Sequence, residues 1–234
     1  MQSVTRVVMI CGAAGNLGRA VAAAFAREGE RLALLDVQAP PIPDEYRGRQ
    51  NMCLAVAADV RKPDAMAAAV ERSLQTFGRI DVLCNLVGGF DMGPAVHEST
   101  AEQWHMMLDL NVDSVLNSVR TVVPILLKQG GGKVINIGAV GGLSGRANMA
   151  AYSASKSAVI RLTEAMSLEL RERNINVNCV LPSIIDTPQN RTAMPDADPN
   201  RWVAPEALAD VIVFLASDRS RAVHGAAVPV VGLS

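Results

Sequence analysis

Short runs of apolar, largely β-branched residues alternate along this chain with longer alanine-rich segments in which apolar positions recur every three or four residues. A continuous apolar run fits a strand buried on both faces, and the longer period fits an amphipathic helix. The pattern predicts strands at about 5–11, 31–36, 52–57, 81–86, 133–138, 175–181 and 226–231. It predicts helices at about 17–28, 63–77, 101–110, 112–129, 151–172 and 205–216.

This alternation predicts an α/β fold in which seven parallel strands form a doubly wound sheet with helices on both faces. No composition shift marks a second unit, so we expect one domain over residues 1–234. Three segments interrupt the rhythm, at 37–50, 88–99 and 182–204, and they follow strands two, four and six. Because ligands bind outside the carboxyl ends of such strands, these segments are candidate walls of a binding site.

Composition narrows the class of protein. Half of the 234 residues are apolar and 19% are charged, which excludes intrinsic disorder. The balance of 22 basic against 23 acidic residues, with 3% aromatics, gives neither a phosphate-neutralising surface nor a base-stacking platform, so nucleic acid is not expected as a partner. No long uninterrupted apolar stretch predicts a membrane span, and no export signal precedes the first strand. We therefore expect a cytoplasmic protein that is not bound to a membrane.

Cysteine and histidine spacing does not predict a metal site. Cys11, Cys53, Cys84 and Cys179 show no C-x-x-C pair and lie in apolar, strand-like runs. This placement favours buried, reduced thiols over disulfides or metal ligands. The three histidines, at 97, 105 and 224, also lack ligand spacing. No metal is expected.

A glycine-rich loop connects the first strand to the first helix. Gly12, Gly15, Asn16, Leu17 and Gly18 lie in this loop and at the start of the helix. Glycines at such a turn permit close approach of a pyrophosphate, which then rests on the positive end of the helix. A strand before the loop and a helix after it favour dinucleotide binding over a plain turn.

An acidic residue, Asp36, ends the second strand, eighteen residues after Gly18. A carboxylate there can accept hydrogen bonds from both adenosine ribose hydroxyls and would repel a 2′-phosphate, so the predicted cofactor is NAD. Asp59 and Val60 end the third strand, and the stretch from Asn85 to Gly88 ends the fourth. These residues fit the same cofactor edge and fit ordinary turns equally well.

Tyr152 and Lys156 are four residues apart in a predicted helix, which places a phenol and an ammonium on one face. The chain contains two tyrosines, so this spacing is poorly explained by chance. A cation beside a phenol favours the phenolate and lowers its pKa, which suits a general acid or base. The alternative is a surface pair on an amphipathic helix.

Taken together, these residues resemble the short-chain dehydrogenase/reductase family over essentially the whole chain. The glycine loop, Asp36, Asp59-Val60, Asn85-x-x-Gly88, Asn111, Tyr152-x-x-x-Lys156 and Pro182 to Thr187 follow the family's order and spacing. The resemblance implies a Rossmann fold with Tyr152 as proton donor or acceptor, and Lys156 holding the nicotinamide ribose. It also implies that Asn111, in a helix distortion, positions a water. The segment containing Pro182, Ile185 and Thr187 would lie at the nicotinamide, with Thr187 touching its carboxamide.

Several positions depart from the family pattern. Asn16 stands where a second glycine is usual, Cys11 replaces a threonine, and Ser183 replaces a glycine after the sixth strand. The family's serine lies thirteen residues before the tyrosine, where this chain has Ala139. Losing such a donor typically costs about 3–4 kcal/mol of transition-state stabilisation. Ser144 could replace it, or could be an ordinary loop serine.

We therefore expect an NAD-dependent oxidoreductase acting on a small carbonyl, imine or quinonoid substrate that needs little help from a serine. The chain partly resembles the family's quinonoid dihydropteridine reductases. The shared features are its length, the aspartate that ends strand two and the missing serine. A slower ketone or secondary-alcohol dehydrogenase, or a 3-oxoacyl reductase, is the alternative. A weakly catalytic dinucleotide-binding regulatory or assembly subunit is another.

The expected substrate region contains Ala139, Leu143, Ser144, Met194 and Trp202, the last two in a short lid at about 188–203. The helices at 112–129 and 151–172 resemble those that pair across two-fold axes in the family, so a homodimer or homotetramer is expected.

Overall fold

The computed structural model describes residues 5–234 and contains a sheet of seven strands. They are β1 Val7–Cys11, β2 Arg31–Asp36, β3 Cys53–Ala57, β4 Val82–Asn85, β5 Gly132–Ile137, β6 Ile175–Pro182 and β7 Ala227–Val230. Their order is β3-β2-β1-β4-β5-β6-β7, and every neighbouring pair is parallel. All seven predicted strands are confirmed within two residues at each end.

Seven α-helices surround the sheet. They are α1 Asn16–Arg27, α2 Pro63–Phe77, α3 Ala101–Leu108, α4 Ser114–Gln129, α5 Ala150–Leu170, α6 Pro188–Ala193 and α7 Pro205–Ala216. The Thr100 side chain caps α3 in a capping box with Gln103, and Pro205 opens α7 at its first turn. The sequence missed α6 because six residues are too few for a helical period to show.

Alternate residues of the central strand enter two separate cores. Val7 and Met9 of β1 pack in one core with side chains of α2, α4 and α5. Val8 and Ile10 pack in the other core with α1 and α7. The sheet is therefore doubly wound, with helices on both faces, as the sequence predicts. Because β1 lies between β2 and β4, the strand order reverses beside the carboxyl end of β1, where such folds bind ligands.

Helices α3 and α4 and the turn between them form one continuous helical stretch, Ala101–Gln129. It is long and apolar enough to cross a membrane by length and composition alone, and 44% of its most apolar window is buried in the protein. Core helices of water-soluble proteins satisfy the same criterion, so this stretch is weak grounds for a membrane span. Its buried side chains, which include Val115, Val122 and Leu126, pack into the core on the sheet.

All four cysteines are buried and unpaired. Burial raises the pKa of the Cys11 thiol to about 12 and that of Cys53 to about 11, so these thiols stay protonated at neutral pH. Within residues 5–234, no group of three or more His, Cys, Asp or Glu side chains could hold a metal ion.

Candidate active site

In the glycine loop, Gly12 and Gly18 have no space for a side chain, whereas Gly15 does. Gly12 has φ +89°, and a Cβ there would lie 2.9 Å from the Val87 nitrogen. A Cβ on Gly18 would lie 2.1 Å from the Gly12 oxygen, so only glycine allows α1 to approach the loop this closely. A Cβ on the exposed Gly15, in contrast, would meet only the Gly12 oxygen, at 3.7 Å.

Gly15 also precedes α1 without supplying a side-chain cap, so the first N–H groups of the helix keep their hydrogen-bonding capacity and positive potential. An anion can lie over this end of the helix without displacing any protein group. The residues present therefore fit the pyrophosphate of a dinucleotide. Gly12 and Gly18 supply the tight packing, while Gly15, Asn16 and Leu17 provide the open helix end.

Asp36 lies at the end of β2 and is tied to the glycine loop. One carboxylate oxygen accepts from the Ala14 N–H at 2.9 Å and the other from its neighbour Val37 at 2.8 Å. The half-buried carboxylate thus lies beside the loop and can accept further hydrogen bonds. Arg19, which sequence reasoning overlooked, donates from Nε to the Ala14 carbonyl oxygen at 2.8 Å and brings an exposed cation to the same corner.

The third-strand residues are held by a partner that the sequence did not suggest. Arg61 binds both carboxylate oxygens of Asp59, at 2.9 and 2.8 Å, and holds the pKa of that carboxyl below its usual value. Val60 is buried, and its carbonyl oxygen accepts from Asn117 Nδ2 of α4 at 3.2 Å. The Asp59-Val60 corner is therefore fixed to α4, whatever it binds.

The end of β4 brings the chemical residues together. Gly88 lies between Asn111 and Lys156: a Cβ on Gly88 would be 2.8 Å from Asn111 Oδ1 and 2.8 Å from Lys156 Nζ. Asn85 is buried and donates to Asn136 Oδ1 of β5 at 2.9 Å, so it braces the sheet below. Positions far apart in sequence thus meet at one edge, next to the glycine loop.

Asn111 lies in a π-turn, Asp109–Asp113, that joins α3 to α4, which is the distortion the resemblance implied. Its side chain holds the backbone of Gly89 on both sides, accepting from the N–H at 2.9 Å and donating to the carbonyl oxygen at 3.1 Å. It also donates to Ser155 Oγ at 2.9 Å, and Ser155 in turn donates to the Tyr152 carbonyl oxygen at 2.8 Å. Ser155 therefore links the π-turn to the first turn of α5.

Lys156 is buried, and its ammonium donates to the Ile137 carbonyl oxygen at 3.1 Å. Burial lowers the pKa of this lysine to about 8 and raises the pKa of the Tyr152 hydroxyl above its ordinary value. The expected lowering of the Tyr152 pKa by Lys156 is thus not what the protein alone produces, because desolvation dominates at both groups.

The turn after β5 lies close to Tyr152. Ala139 is buried, and its carbonyl oxygen accepts from the Gly142 N–H at 2.9 Å. A Cβ on Gly141 would be 3.2 Å from the Tyr152 ring, so this wall approaches the phenol closely. Leu143 and Ser144 follow on the exposed part of the same loop. The structure therefore does not bring the Ser144 hydroxyl into the buried position of Ala139.

Pro182, the buried last residue of β6, precedes the lid predicted at 188–203. Ile185 pairs with Val203 in an isolated parallel bridge, and Thr187 caps α6 by accepting from the Asn190 N–H at 3.1 Å. Met194, half-buried, ends this helix. Trp202 is buried at the base of the lid, so its ring supports the lid instead of lining an open face.

One contact joins the lid directly to the cofactor loop. Asn16 Nδ2 donates to Gln189 Oε1 at 2.8 Å, across a sequence separation of 173 residues. Asn16 is the residue that stands where the family usually has glycine, so this contact depends on one of the chain's departures.

Phe90 is the site residue that sequence reasoning missed most clearly. Its ring centroid lies 5.0 Å from that of Tyr152, with the two rings at 80°. The only available signal was its position, directly after Gly88-Gly89 in a segment that interrupts the strand–helix rhythm.

Comparison with known proteins agrees with this arrangement. A family model described as short chain dehydrogenase matches residues 6–198. The 3-oxoacyl-(acyl-carrier-protein) reductase of Thermotoga maritima is 33% identical over 238 residues, covering 97% of this chain and 96% of the relative. Cyclohexanol dehydrogenase of an Acinetobacter species is 32% identical over 228 residues, covering 94% of this chain and 91% of the relative.

Among solved structures, 3-ketoacyl-(acyl-carrier-protein) reductase from Brucella melitensis complexed with NADH superposes with a TM-score of 0.85 at 28% identity, over 98% of each chain. Its bound NADH supports a nicotinamide dinucleotide as the cofactor here. The matched length, the Rossmann-type sheet and the relatives together establish that this chain is an oxidoreductase belonging to the short-chain dehydrogenase/reductase family.

Proposed function

We propose that this protein is a single-domain, NAD-dependent oxidoreductase that transfers hydride between nicotinamide and a small carbonyl, imine or quinonoid substrate. The observation that carries the proposal is that Asn111 and Lys156 meet at Gly88, with Ser155 linking Asn111 to Tyr152, beside a helix end suited to a pyrophosphate. When bound, the nicotinamide ring supplies or accepts the hydride.

The protein's own groups then have distinct tasks. Tyr152 transfers a proton at the substrate oxygen or nitrogen, because its hydroxyl belongs to a half-buried ring at the open edge of the sheet. Lys156 holds the nicotinamide ribose with its buried ammonium. Asn111 fixes the loop after β4 and positions the water of the proton relay. Thr187, with a hydroxyl proton free to donate, contacts the carboxamide.

Asp36 supports NAD over NADP. A 2′-phosphate next to this carboxylate would bring two negative charges together in a partly desolvated corner, which costs a few kcal/mol. Arg19 attracts phosphate at the same corner, but its guanidinium is exposed and therefore more strongly screened. The carboxylate is consequently the stronger determinant.

The alternative activity is that of a ketone or secondary-alcohol dehydrogenase, or a 3-oxoacyl reductase, and the names of the relatives favour it. These activities usually need the oxyanion donor that Ala139 cannot supply, so the rate would be reduced. A regulatory or assembly subunit is the least favoured reading, because a binding module has no use for the Tyr152, Lys156 and Asn111 constellation.

A cofactor titration followed by a turnover screen separates these functions. We expect NADH to bind more tightly than NADPH, measured by nucleotide fluorescence, and a quinonoid dihydropterin or an imine to be reduced faster than simple ketones. Faster reduction of ketones would establish the alternative. Tight nucleotide binding with no turnover on either panel would support the regulatory subunit.

We also propose a cytoplasmic homodimer or homotetramer assembled through α4 and α5. Leu168 on the outer side of α5 is 64% exposed in the single chain, as expected for a side chain that a second copy covers. Light scattering showing a stable monomer would contradict this assembly.

A further inference from the structure

Phe90 is a large apolar side chain left in the open beside the reacting group. It is 57% exposed, although its ring packs edge to face against Tyr152. Aromatic rings stabilise a protein most when they are buried, so a ring that stays exposed beside Tyr152 indicates a surface that another apolar group covers.

Hydrogen bonds to neighbouring residues hold the loop that carries Phe90. Asn111 binds both the N–H and the carbonyl of Gly89, the residue directly before Phe90. A Cβ on Gly89 would lie 2.5 Å from Leu110 Cδ2, so a side chain there would require Leu110 to move. Further along, the Gly93 N–H donates to the Asn148 carbonyl oxygen at 2.8 Å, joining this loop to the loop before α5. Phe90 is thus presented from a loop fixed at both ends.

The surroundings of Tyr152 are asymmetric. Phe90 stands at a right angle on one side, and the close Gly141 wall lies on another. Met92 and Leu143, also exposed and apolar, continue the two loops outward. At Ala139 the site has a buried methyl where the family has a hydroxyl. This corner offers ring contacts to a substrate and lacks that hydroxyl donor for its oxygen.

We infer that Phe90 is a specificity-determining residue that makes this site select flat, conjugated rings over puckered, saturated rings. The inference rests on the proposed oxidoreductase function and narrows its substrate class. A flat ring whose reacting atom reaches the Tyr152 hydroxyl meets Phe90 in stacked or edge-to-face contact, which a saturated ring cannot match.

The test uses two ketones with the same ten carbons, 1-tetralone with a fused benzene ring and 1-decalone with a saturated one. In the reaction, the carbonyl carbon takes a hydride from NADH, the C=O π bond breaks, and the oxygen takes the Tyr152 proton, giving an alcohol and NAD⁺. Dissociation constants are measured calorimetrically with the NAD⁺ complex, in which the ketones cannot be reduced, and with the free protein. The kcat/KM values are measured with NADH.

We expect the unmodified protein to bind 1-tetralone about fivefold tighter than 1-decalone, and Phe90→Leu to abolish most of that preference. The ratio of kcat/KM for 1-tetralone to kcat/KM for 1-decalone should also fall in Phe90→Leu. Met92→Leu is the matched control, because Met92 is exposed on the same loop, and it should preserve the ratio. Ratios of two substrates cancel a general disturbance of Tyr152, which would lower both activities equally.

Equal affinity for the two ketones in the unmodified protein, or an unchanged ratio in Phe90→Leu, would overturn the inference. An equal loss on both ketones would also overturn it and reduce Phe90 to a support for Tyr152. Failure of the proposed function has a different result: NADH would not bind, or Tyr152→Phe would leave turnover unchanged. Ligand affinities measured on the free protein remain informative in that case.

Discussion

The cofactor half and the substrate half of this molecule differ in how their residues are assembled. The glycine loop and Asp36 lie within one β1–α1–β2 unit, and the Ala14–Asp36 hydrogen bond closes that unit on itself. The substrate half joins Phe90 and Ala139 from two loops, Asn111 from the π-turn and Tyr152 from α5. The cofactor half keeps Gly12, Gly18 and Asp36 and departs from the family pattern at Cys11 and Asn16, whereas the substrate half lacks the family's serine.

This difference shows that binding of the nucleotide and choice of the substrate are set by separate parts of the fold. Local turn geometry suffices for a phosphate cradle, because backbone N–H groups and a helix end do the binding. Selectivity instead depends on side chains that meet only after the sheet has formed. Variants in one half should therefore leave the other half largely intact.

Tyr152→Phe should have the largest effect. Removing the proton-transferring oxygen should lower kcat by about 10²- to 10⁴-fold while the NADH dissociation constant changes less than about twofold, since the cofactor half is untouched. Steady-state kinetics measures kcat, and fluorescence titration measures the NADH dissociation constant. More than a tenth of the activity remaining would show that Tyr152 is not the acid or base.

Lys156→Met should stabilise the cofactor-free protein at pH 7 by about 2 kcal/mol while abolishing turnover, because the penalty for burying the charge exceeds the lost hydrogen bond. The pKa of Lys156 falls from 10.5 to about 8 on folding, so the unfolded chain binds the extra proton between these values. The free energy of unfolding of the unmodified protein should therefore rise with pH over that range. The extra stability of Lys156→Met relative to the unmodified protein should decrease over the same range.

Urea unfolding at several pH values checks this, with Lys128→Met as the control because Lys128 is exposed. Equal pH dependence in the unmodified protein and Lys156→Met would show that the ammonium is not desolvated.

Asp36→Ala should reduce the preference for NADH over NADPH by at least about tenfold, since the repelling carboxylate is gone and the Arg19 guanidinium remains at Ala14, the residue that contacts Asp36. Asp36→Asn separates charge from the hydrogen bond to Ala14, and it should show most of the same change. Dissociation constants of both nucleotides give the result. Equal affinity for the two in the unmodified protein would contradict the assignment of NAD.

Asn16→Gly should speed NADH release about threefold, because it removes the one side-chain contact described between the lid and the cofactor loop. Gln189→Ala should do the same, and the double variant should be no faster than either single one. Stopped-flow displacement measures the rate. Additive effects would mean that the two residues act independently and that the two halves are not coupled here.

Ala139→Ser should have the smallest effect. A new hydroxyl in a position shaped for a buried methyl must be desolvated, so reduction of a quinonoid dihydropterin should be unchanged or slower. The measurement is kcat/KM of Ala139→Ser and of the unmodified protein, on the dihydropterin and on small ketones. A gain of about 10²-fold on ketones with none on the dihydropterin would place the protein among the ketone and secondary-alcohol dehydrogenases.

The sequence by itself determined the seven strands, the glycine loop with Asp36, and the Tyr152–Lys156 pair. Each depends on periodicity or on short spacing along one element, which sequence displays directly. It also showed the loss of the serine at Ala139.

Only the tertiary structure decided what surrounds these residues. The contacts of Phe90 with Tyr152 and of Asn16 with Gln189 join side chains from different elements. The pKa values of Tyr152 and Lys156 are likewise set by how far neighbouring elements exclude water. Such contacts and burial arise when the helices pack on the sheet, and no local pattern in the chain encodes them.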